Sequence, residues 1–452
     1  MQKFGFAQGD IARLRVGLEA VRSHFDVPGI AAALEMDGRV IGAGVGVSST
    51  LSSAKLTPDD RLPISCVMKV LVTWLLLYAE GEGKVGLDDD IAVYVPQVLR
   101  EGERSSGITL RHLVTHTAGY IEPQENSARW GYSLEKFIEF FPRRQQAFEP
   151  GSVWSYTHTG HALVQIVLEK VFNRALEDLL RDLLLSPLGL NLLYLSEGKA
   201  SGENISALHI KDPRLNVFLP MRPPQETGFL RFSISDASLS VRHLAKIGSA
   251  LAGGYAATLA HLQLARTRLL SSAIKLPEYI LGKEGERMPQ AFCHGVADFG
   301  TFKGINGSYV GSTCALRFYE KKHLGLAAMI NAYEPHVRDT VETMLGEPFG
   351  KRSASITDDK PNLMDLNRLV GRYEGLMLGL EHADVSHDGG GLKCSVHFKR
   401  GGGMTARLGQ DSDGKLTMLA GSSNVSMAFA EYPSDRTPFL MVSTSAYRKV
   451  AA

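Results

Sequence analysis

The chain has 452 residues, a hydrophobic fraction of 44% and a charged fraction of 21%. These values are typical of a globular protein with two or three domains. Its 49 Lys and Arg residues against 48 Asp and Glu residues give a formal net charge of +1. Because neutralising phosphates needs an excess of basic residues, this balance argues against a nucleic-acid partner and favours a small molecule.

Four cysteines are scattered without paired spacing, at Cys66, Cys293, Cys314 and Cys394. This pattern predicts neither a disulfide framework nor a zinc site, and we expect no metal and no cofactor. The first ten residues lack the apolar core of a signal peptide, and no later apolar run is long enough to span a bilayer. We therefore expect a cytoplasmic protein with reduced thiols and no membrane partner.

The first predicted elements are a helix and a hairpin. Apolar residues recur at helical spacing within Ile11–Phe25. Two apolar runs, Ile30–Met36 and Val40–Val45, then flank Asp37-Gly38, a dipeptide that favours a tight turn. An antiparallel sheet is predicted to begin here.

The next helix carries a possible nucleophile at its start, within the stretch Leu62–Leu77. Cys66 and Lys69 are three residues apart, so on a helix they share one face. The positive end of the helix dipole and a nearby ammonium both favour the thiolate form of a cysteine. This pattern predicts an activated nucleophile. The alternative from these residues alone is an ordinary buried thiol, the usual fate of a free cysteine.

Several motifs occur in an order that resembles the serine β-lactamase and penicillin-binding-protein-like superfamily, in its class C and esterase branch. They lie within roughly residues 10–350 and are Val27–Ile30, Cys66–Lys69, Leu87–Asp89, Leu113–Gly119 and Pro150–Tyr156. The family's first motif is Ser-x-x-Lys, so Cys66 stands at the position of the nucleophilic serine, and Ser65 is one residue out of register. The resemblance implies an α/β (α+β) sandwich, in which helices flank an antiparallel sheet and the Cys66 helix lies at the centre.

The family's second motif is Tyr-x-Asn, and here the matching residues are Tyr156 and His158. The resemblance implies that Tyr156 shuttles a proton to and from the reacting groups, which is general acid–base catalysis. His158 replaces the asparagine and is expected to bind the substrate or Lys69. The alternative reading is that Tyr156 is an amphipathic core residue.

The third family motif is Lys-Thr-Gly or His-x-Gly, and its best match is the run Ile305, Asn306, Gly307 and Ser308. The resemblance implies that these four residues line the substrate and oxyanion site. Ile305 replaces the polar residue that holds the substrate carboxylate in β-lactamases and carboxypeptidases, so poor turnover of penicillins and cephalosporins is expected. Lys303 is a competing candidate for the missing charge. The backbone N–H groups of Ser308 and Cys66 are expected to form an oxyanion hole.

Two segments before this motif have less distinctive patterns. Glu197–Gly228 is rich in Pro, Asn and Arg with little periodicity, and we predict a variable loop there. Ser233–Leu239 has Ser and Asp residues that favour a helix cap, and we predict that it opens a helix.

The composition turns polar around Lys351–Pro361, which predicts a linker. The predicted domains are a catalytic domain over 1–352, a linker over 353–362 and a second domain over 363–452. Short apolar runs separated by Gly, Asp and Ser predict strands in the last of these. This segment resembles the lipocalin-like β-barrel of penicillin-binding-protein-type thioesterases.

The resemblance implies acyl transfer through a covalent acyl-enzyme on Cys66, with Lys69 and Tyr156 moving protons. Because a thiol exchanges acyl groups with thioesters at little thermodynamic cost, we expect an acyltransferase or a thioesterase-like tailoring enzyme of secondary metabolism. Its acyl donor would be an ester or an acyl thioester, free or bound to a carrier protein. Two alternatives stay open: an esterase or amidase-type hydrolase, including a Ser-to-Cys variant, and a catalytically inactive binding homologue.

Overall fold

The structure is a computed structural model. The residues that it describes are 8–99, 102–120, 147–191, 193–194, 204–212, 214–221, 237–254, 260–271, 274–275, 291–346, 366–374, 380–389, 391–398, 403–410, 416–419, 427–431, 438–442 and 445–450. Contacts divide the chain into two compact units. The first comprises Met1–Gly86, Val164–Ala273 and Cys293–Ser353, and the second comprises Leu87–Leu163, Ile274–Phe292 and Ala354–Ala452.

The α-helices of the described residues range from 4 to 18 residues in length. They are α1 (Gln8–Phe25), α2 (Met68–Gly81), α3 (Leu110–Val114), α4 (Thr159–Phe172), α5 (Leu176–Leu179), α6 (Val241–Leu251), α7 (Ala260–Ser271), α8 (Pro335–Gly346) and α9 (Leu366–Leu369). No helix among these residues is long and apolar enough to cross a membrane.

The strands before the C-terminal region are β1 (Gly29–Met36), β2 (Arg39–Gly46), β3 (Arg61–Pro63), β4 (Leu193–Tyr194), β5 (Leu208–Asp212), β6 (Val217–Met221), β7 (Ala237–Ser240), β8 (Ile274–Lys275), β9 (Ala291–Phe292), β10 (Ala297–Asp298), β11 (Lys303–Tyr309), β12 (Ser312–Tyr319) and β13 (Leu324–Ile330). Those of the C-terminal region are β14 (Gly371–Glu374), β15 (Leu380–Asp388), β16 (Gly391–Phe398), β17 (Gly403–Gln410), β18 (Leu416–Leu419), β19 (Met427–Glu431), β20 (Pro438–Val442) and β21 (Ser445–Lys449).

The first unit is built on an antiparallel sheet in which neighbouring strands follow the order β2-β1-β13-β12-β11-β10. Its first two strands form the predicted hairpin. Asp37 and Gly38 in the turn have φ values of 50° and 81°, so both central residues have a left-handed backbone conformation. That conformation matches the right-handed twist of the two strands, which explains why an Asp-Gly pair stands there.

Helices cover both faces of this sheet. On one face α6 packs so closely on β13 that a Cβ atom on Gly325 would lie 1.9 Å from the carbonyl oxygen of Ala245. On the other face Arg317 of β12 forms a buried ion pair with Glu342 of α8, at 2.6 Å. The mixed architecture with helices on an antiparallel sheet is therefore confirmed.

Two predicted segments differ from the structure. Within Glu197–Gly228, β5 and β6 form a regular antiparallel hairpin, in which Ile210 pairs with Leu219. Of Ser233–Leu239, the described part belongs to β7, which pairs with β3, and the helix begins only at Val241. Long-range strand pairing overrides the local helix signal here, because pairing with β3 satisfies the backbone of β7.

The C-terminal part of the second unit is an antiparallel sheet in the order β18-β17-β16-β15-β14-β21-β20-β19. Its interior side is apolar, since Ala383, Val385, Cys394 and Val396 are buried while their neighbours along each strand are more exposed. The predicted linker over 353–362 lies outside the described residues. The domain boundaries stay a prediction.

Candidate active site

Cys66 lies in a single 3-10 turn, Ser65–Val67, that continues directly into α2. The junction residues Val67 and Met68 have right-handed helical backbone angles, so the end of the turn continues into the helix without a break. The Cys66 side chain is half-buried. The expected helix start is therefore a tighter 3-10 turn, and it leaves the thiol of Cys66 partly open to solvent.

Lys69 lies in the first turn of α2 and is completely buried. Removing an ammonium group from water costs several kcal/mol unless charge and hydrogen-bonding partners compensate. Lys69 follows Cys66 by three residues, so the two side chains leave the helical path on the same side. The structure thus brings a buried amine and a half-buried thiol onto the same stretch of backbone.

Strand β11 runs beside the Cys66 turn at the third-motif residues. A Cβ atom on Gly307 would lie 2.4 Å from the carbonyl oxygen of Ile64 and 2.5 Å from Cys314 Sγ, so only glycine allows this approach. The Ser65 Oγ donates a hydrogen bond to the carbonyl oxygen of Ser308 at 2.7 Å. Two contacts therefore join β11 to the residues immediately before Cys66.

Ser65 has a left-handed backbone, with a φ of 44°. For a residue with a Cβ atom this conformation costs on the order of 1–3 kcal/mol, and such strain clusters at functional sites. The hydrogen bond from Ser65 to Ser308 contributes roughly 0.5–1.5 kcal/mol and partly offsets that cost. Ser65 therefore supports the turn that presents Cys66, although it stands outside the nucleophile position.

The other third-motif side chains point in two directions from β11. Ile305 and Gly307 share one side of the strand, and Ile305 is buried. Asn306 lies on the opposite side, where its Oδ1 accepts a hydrogen bond from Arg317 at 2.5 Å. Ser308 is exposed. The side-chain oxygen of Asn306 is thus engaged in the buried Arg317–Glu342 network, and its contact with substrate stays a prediction.

Lys303, the competing candidate for the missing charge, forms ion pairs with Glu320 and with Asp298, the latter at 3.6 Å. Burial opposes its charged form, but the hydrogen bond to Glu320 and the two carboxylate charges outweigh burial and raise the pKa of Lys303. Its ammonium group is therefore engaged with acidic residues of the protein itself.

The remaining three thiols are more deeply buried than that of Cys66. Cys293, Cys314 and Cys394 are buried. Burial raises the pKa of Cys293 to about 11 and the pKa values of Cys314 and Cys394 to about 12. Because the thiolate is the reactive form, these three thiols, which stay protonated at neutral pH, are poor nucleophiles there.

Tyr156 and His158, the second-motif residues, belong to the second unit. Both are half-buried and lie in the segment immediately before α4. Their rings are 5.6 Å apart in an edge-to-face arrangement. Tyr156 is therefore neither a fully buried core residue nor a freely exposed one.

His116 is a residue whose position the sequence reasoning missed. Its ring lies 4.4 Å from that of Tyr156. Its carbonyl oxygen accepts a hydrogen bond from the N–H of Ser155 at 2.8 Å, and its Nδ1 accepts one from the N–H of Thr157 at 3.3 Å. Both backbone neighbours of Tyr156 are thus bonded to one histidine. The motif Leu113–Gly119 was the only available signal, and it gave no role for His116.

Aromatic side chains enclose His116 within the second unit. Phe292 and Trp154 lie 5.1 Å and 6.1 Å from its ring, and they lie 5.6 Å from each other. His161 is 5.2 Å away on another side. This packing fixes the ring of His116. The backbone of His116 is left-handed, with a φ of 58°.

A model of the family described as beta-lactamase matches residues 19–347. Among curated relatives, penicillin-binding protein 4 of Amycolatopsis lactamdurans is 28% identical over 184 residues, which are 40% of this chain and 48% of that protein. A D-aminopeptidase of Brucella anthropi is 28% identical over 191 residues, 40% of this chain and 35% of the relative. The chain thus spans about half the length, or less, of these curated relatives.

The solved structure of SurE has the same fold, with a TM-score of 0.79 at 20% sequence identity over 99% of this chain and 100% of SurE. SurE with D-Leu aligns with a TM-score of 0.76, also at 20% identity, over 98% of this chain and 100% of that one. At this identity the likeness concerns the fold alone. The family model, in contrast, covers most of the chain, including Cys66, Lys69, Tyr156 and the third-motif strand. The chain therefore belongs to the beta-lactamase family.

Proposed function

We propose that this protein is an acyl-transferring enzyme that works through a covalent acyl intermediate on Cys66. One observation carries the proposal: Cys66 is a half-buried thiol three residues before the buried amine of Lys69, whereas the other three cysteines are buried. Family membership supports the same reaction class, since acyl-enzyme chemistry is what a nucleophile at this motif performs.

In the proposed first step, the Cys66 Sγ attacks the carbonyl carbon of the donor, and the bond from that carbon to the leaving sulfur or oxygen breaks. In the second step, an amine, an alcohol or water attacks the acyl-thioester carbon, and the Cys66 thiolate leaves. Lys69 and Tyr156 carry the proton from the attacking group to the leaving group. The backbone N–H groups of Cys66 and Ser308 stabilise the oxyanion in both steps.

The names of similar proteins favour a substrate with a D-amino acid. One curated relative is a D-aminopeptidase, and SurE has been solved with D-Leu. We propose an acyl thioester or ester donor, free or on a carrier protein, with a D-residue next to the reacting carbonyl or on the acceptor. We also propose that the C-terminal region forms a lipocalin-like barrel. A cytosolic location, where Cys66 stays reduced, is a further part of the proposal.

The test is intact-protein mass spectrometry after incubation with a D-aminoacyl thioester, its L-enantiomer and an activated ester. We expect one acyl adduct that is absent in Cys66→Ala and retained in Cys314→Ala, the matched control for a buried thiol. Acylation of Cys66→Ala, or a label that maps to Cys293, Cys314 or Cys394, would show that the nucleophile is another residue.

The second candidate function is hydrolysis, and the D-aminopeptidase among the relatives favours it. A transferase and a hydrolase share the first step and differ in what attacks the acyl-thioester. Adding an amine acceptor to the preformed acyl-enzyme separates them. Faster loss of the adduct with formation of the amide supports transfer, and loss at the rate seen in buffer supports hydrolysis.

Substrate charge gives a further prediction, which depends on Ile305. An isoleucine at the third motif leaves a substrate carboxylate without a donor, at a cost of about 1–3 kcal/mol or more for a charge. We expect kcat/KM for a neutral aryl ester or acyl thioester to exceed that for a chromogenic cephalosporin by roughly ten- to a hundredfold. A preference for the cephalosporin would mean that a cation such as Lys303 reaches the substrate.

A further inference from the structure

A cluster of three potential metal ligands lies on the C-terminal sheet, and none of its residues takes part in the proposed reaction. His382 of β15 and His397 of β16 are directly opposite each other in the antiparallel pair. Asp384 follows His382 by two residues, so its side chain emerges on the same side of the sheet. The alternate residues Ala383 and Val396 are buried, which places the cluster on the outer side of this sheet.

The ligand atoms converge on one carboxylate oxygen. Asp384 Oδ2 lies 3.3 Å from His382 Nε2 and 3.5 Å from His397 Nε2. For bonds of about 2.0–2.1 Å in a tetrahedral site, neighbouring ligand atoms are separated by about 3.3 Å. The observed separations therefore match two edges of a tetrahedral coordination shell, and all three ligand atoms lie within 4.8 Å of one another.

The two imidazole rings are stacked, with centroids 4.3 Å apart and planes 19° apart. An ion pair with Asp384 would need only one of them. A shared cation instead requires two imidazole nitrogens directed at the same point, together with an oxygen ligand. Nearly parallel rings direct their nitrogen lone pairs side by side, so binding requires one ring to turn about its Cβ–Cγ bond. The similar distances of both Nε2 atoms from Asp384 Oδ2 keep the three ligand atoms within reach of one ion.

Arg372 of β14 holds the carboxylate in place. Its Nε and Nη2 donate hydrogen bonds to Oδ1 and Oδ2 of Asp384 at 2.9 and 3.1 Å. Metal-binding carboxylates are commonly oriented by such outer partners. The positive charge of Arg372 also opposes a cation, so we expect moderate rather than very tight affinity.

We propose that His382, Asp384 and His397 form a binding site for a divalent transition-metal ion, with Zn²⁺ the ion that their chemistry suits best. Two imidazoles and one carboxylate favour Zn²⁺ and similar ions over Mg²⁺ and Ca²⁺, which prefer oxygen ligands throughout. With three protein ligands, a fourth position is left for water or for an outside group. The ion would also join two neighbouring strands of the sheet.

The test uses the full chain without an affinity tag, in a Cys66→Ala background so that the half-buried thiol does not bind zinc. After treatment with a chelator and its removal, Zn²⁺ is titrated by calorimetry, and retained metal is measured by elemental analysis. We expect one equivalent to bind, and His382→Ala and His397→Ala each to weaken binding by about tenfold or more. Asp384→Asn should weaken it as well.

Two matched controls sharpen the result. His387 is an exposed histidine on the same strand, and Asp388 is a carboxylate there that pairs with Arg407 at 2.6 Å. His387→Ala and Asp388→Asn should bind Zn²⁺ as the parent does, and far-UV circular dichroism of each variant should be unchanged. The proposal is overturned if the parent binds no zinc, or if His382→Ala and His397→Ala, with unchanged spectra, bind it as tightly as the parent.

Discussion

The Cys66 turn of the first unit and the Tyr156 segment of the second unit hold the side chains proposed to be catalytic in different ways. Around Cys66 the fixed contacts are made by backbone and small residues. Gly307 lies against the carbonyl oxygen of Ile64, and Ser65 donates to the carbonyl oxygen of Ser308. Around Tyr156 they include those of one histidine, which accepts a hydrogen bond from Thr157 N–H and whose ring lies 4.4 Å from the phenol ring at a tilt of 36°.

This difference predicts how each of the two regions responds to amino-acid substitutions. A contact between backbone groups leaves no space for an added atom, so the Cys66 turn should respond steeply to one methyl group. A ring held by packing and by a hydrogen bond from one backbone N–H group can be replaced by another acceptor of similar shape. The Tyr156 segment should therefore respond gradually, and conservative replacements there should restore function.

The largest expected effects come from removing the two groups that we propose to carry protons, and these variants test whether both regions serve one reaction. Lys69→Ala and Tyr156→Phe should each slow acylation of Cys66 by roughly a hundredfold or more, the usual scale for lost general acid–base catalysis. Rapid-quench mass spectrometry with an acyl thioester measures this rate. Rates within a few-fold of the parent for either variant would remove that residue from the mechanism.

A change at Gly307 tests the backbone-built region. The Cβ atom of Gly307→Ala would lie 2.4 Å from the Ile64 carbonyl oxygen, so β11 or the Cys66 turn must shift. A displacement of about 1 Å costs up to about a hundredfold in rate, and overpacking costs about 1–3 kcal/mol in stability. We expect losses of this size in acylation rate and in the free energy of unfolding.

Gly9→Ala is the matched control for that variant, because a Cβ atom on Gly9 meets no atom within 4 Å. It should leave acylation unchanged and stability equal or slightly higher, since alanine favours a helix. Equal behaviour of Gly307→Ala and Gly9→Ala in both measurements would contradict the close approach of β11 to the Cys66 turn.

The smallest expected effect is at His116, which we propose to position Tyr156. His116→Ala removes the acceptor for Thr157 N–H and the ring beside Tyr156, and we expect about a tenfold slower acylation, or about 1.4 kcal/mol. His116→Asn keeps an acceptor and tolerates the left-handed backbone. Its rate should lie within about threefold of the parent.

A pH–rate profile distinguishes positioning from a merely structural role for His116. If His116 orients the phenol, His116→Ala should change the acylation profile, and His116→Asn should restore it. Equal rates and profiles for the parent, His116→Ala and His116→Asn would show that the second unit holds Tyr156 without this histidine.

Local sequence patterns were most informative where neighbours along the chain determine the structure. The hairpin around Asp37-Gly38 follows from residues that favour a left-handed turn. That the side chains of Cys66 and Lys69 leave the backbone on the same side follows from helical geometry. The same local reasoning failed at Ser233–Leu239, where the described residues pair with β3 as a strand. Helix-cap residues are a weak signal when a distant strand offers the backbone its hydrogen bonds.

The sequence by itself predicted that Cys66 and Lys69 occupy the family's nucleophile motif and that Ile305 replaces a polar residue, and it determined that a glycine stands two residues later, at Gly307. Only the tertiary structure decided what surrounds them. Ser65 and Ser308 are 243 residues apart along the chain, yet their hydrogen bond joins the Cys66 turn to β11. The physical reason is that a side chain's burial and partners depend on which distant strands and helices pack against it, which no local spacing encodes.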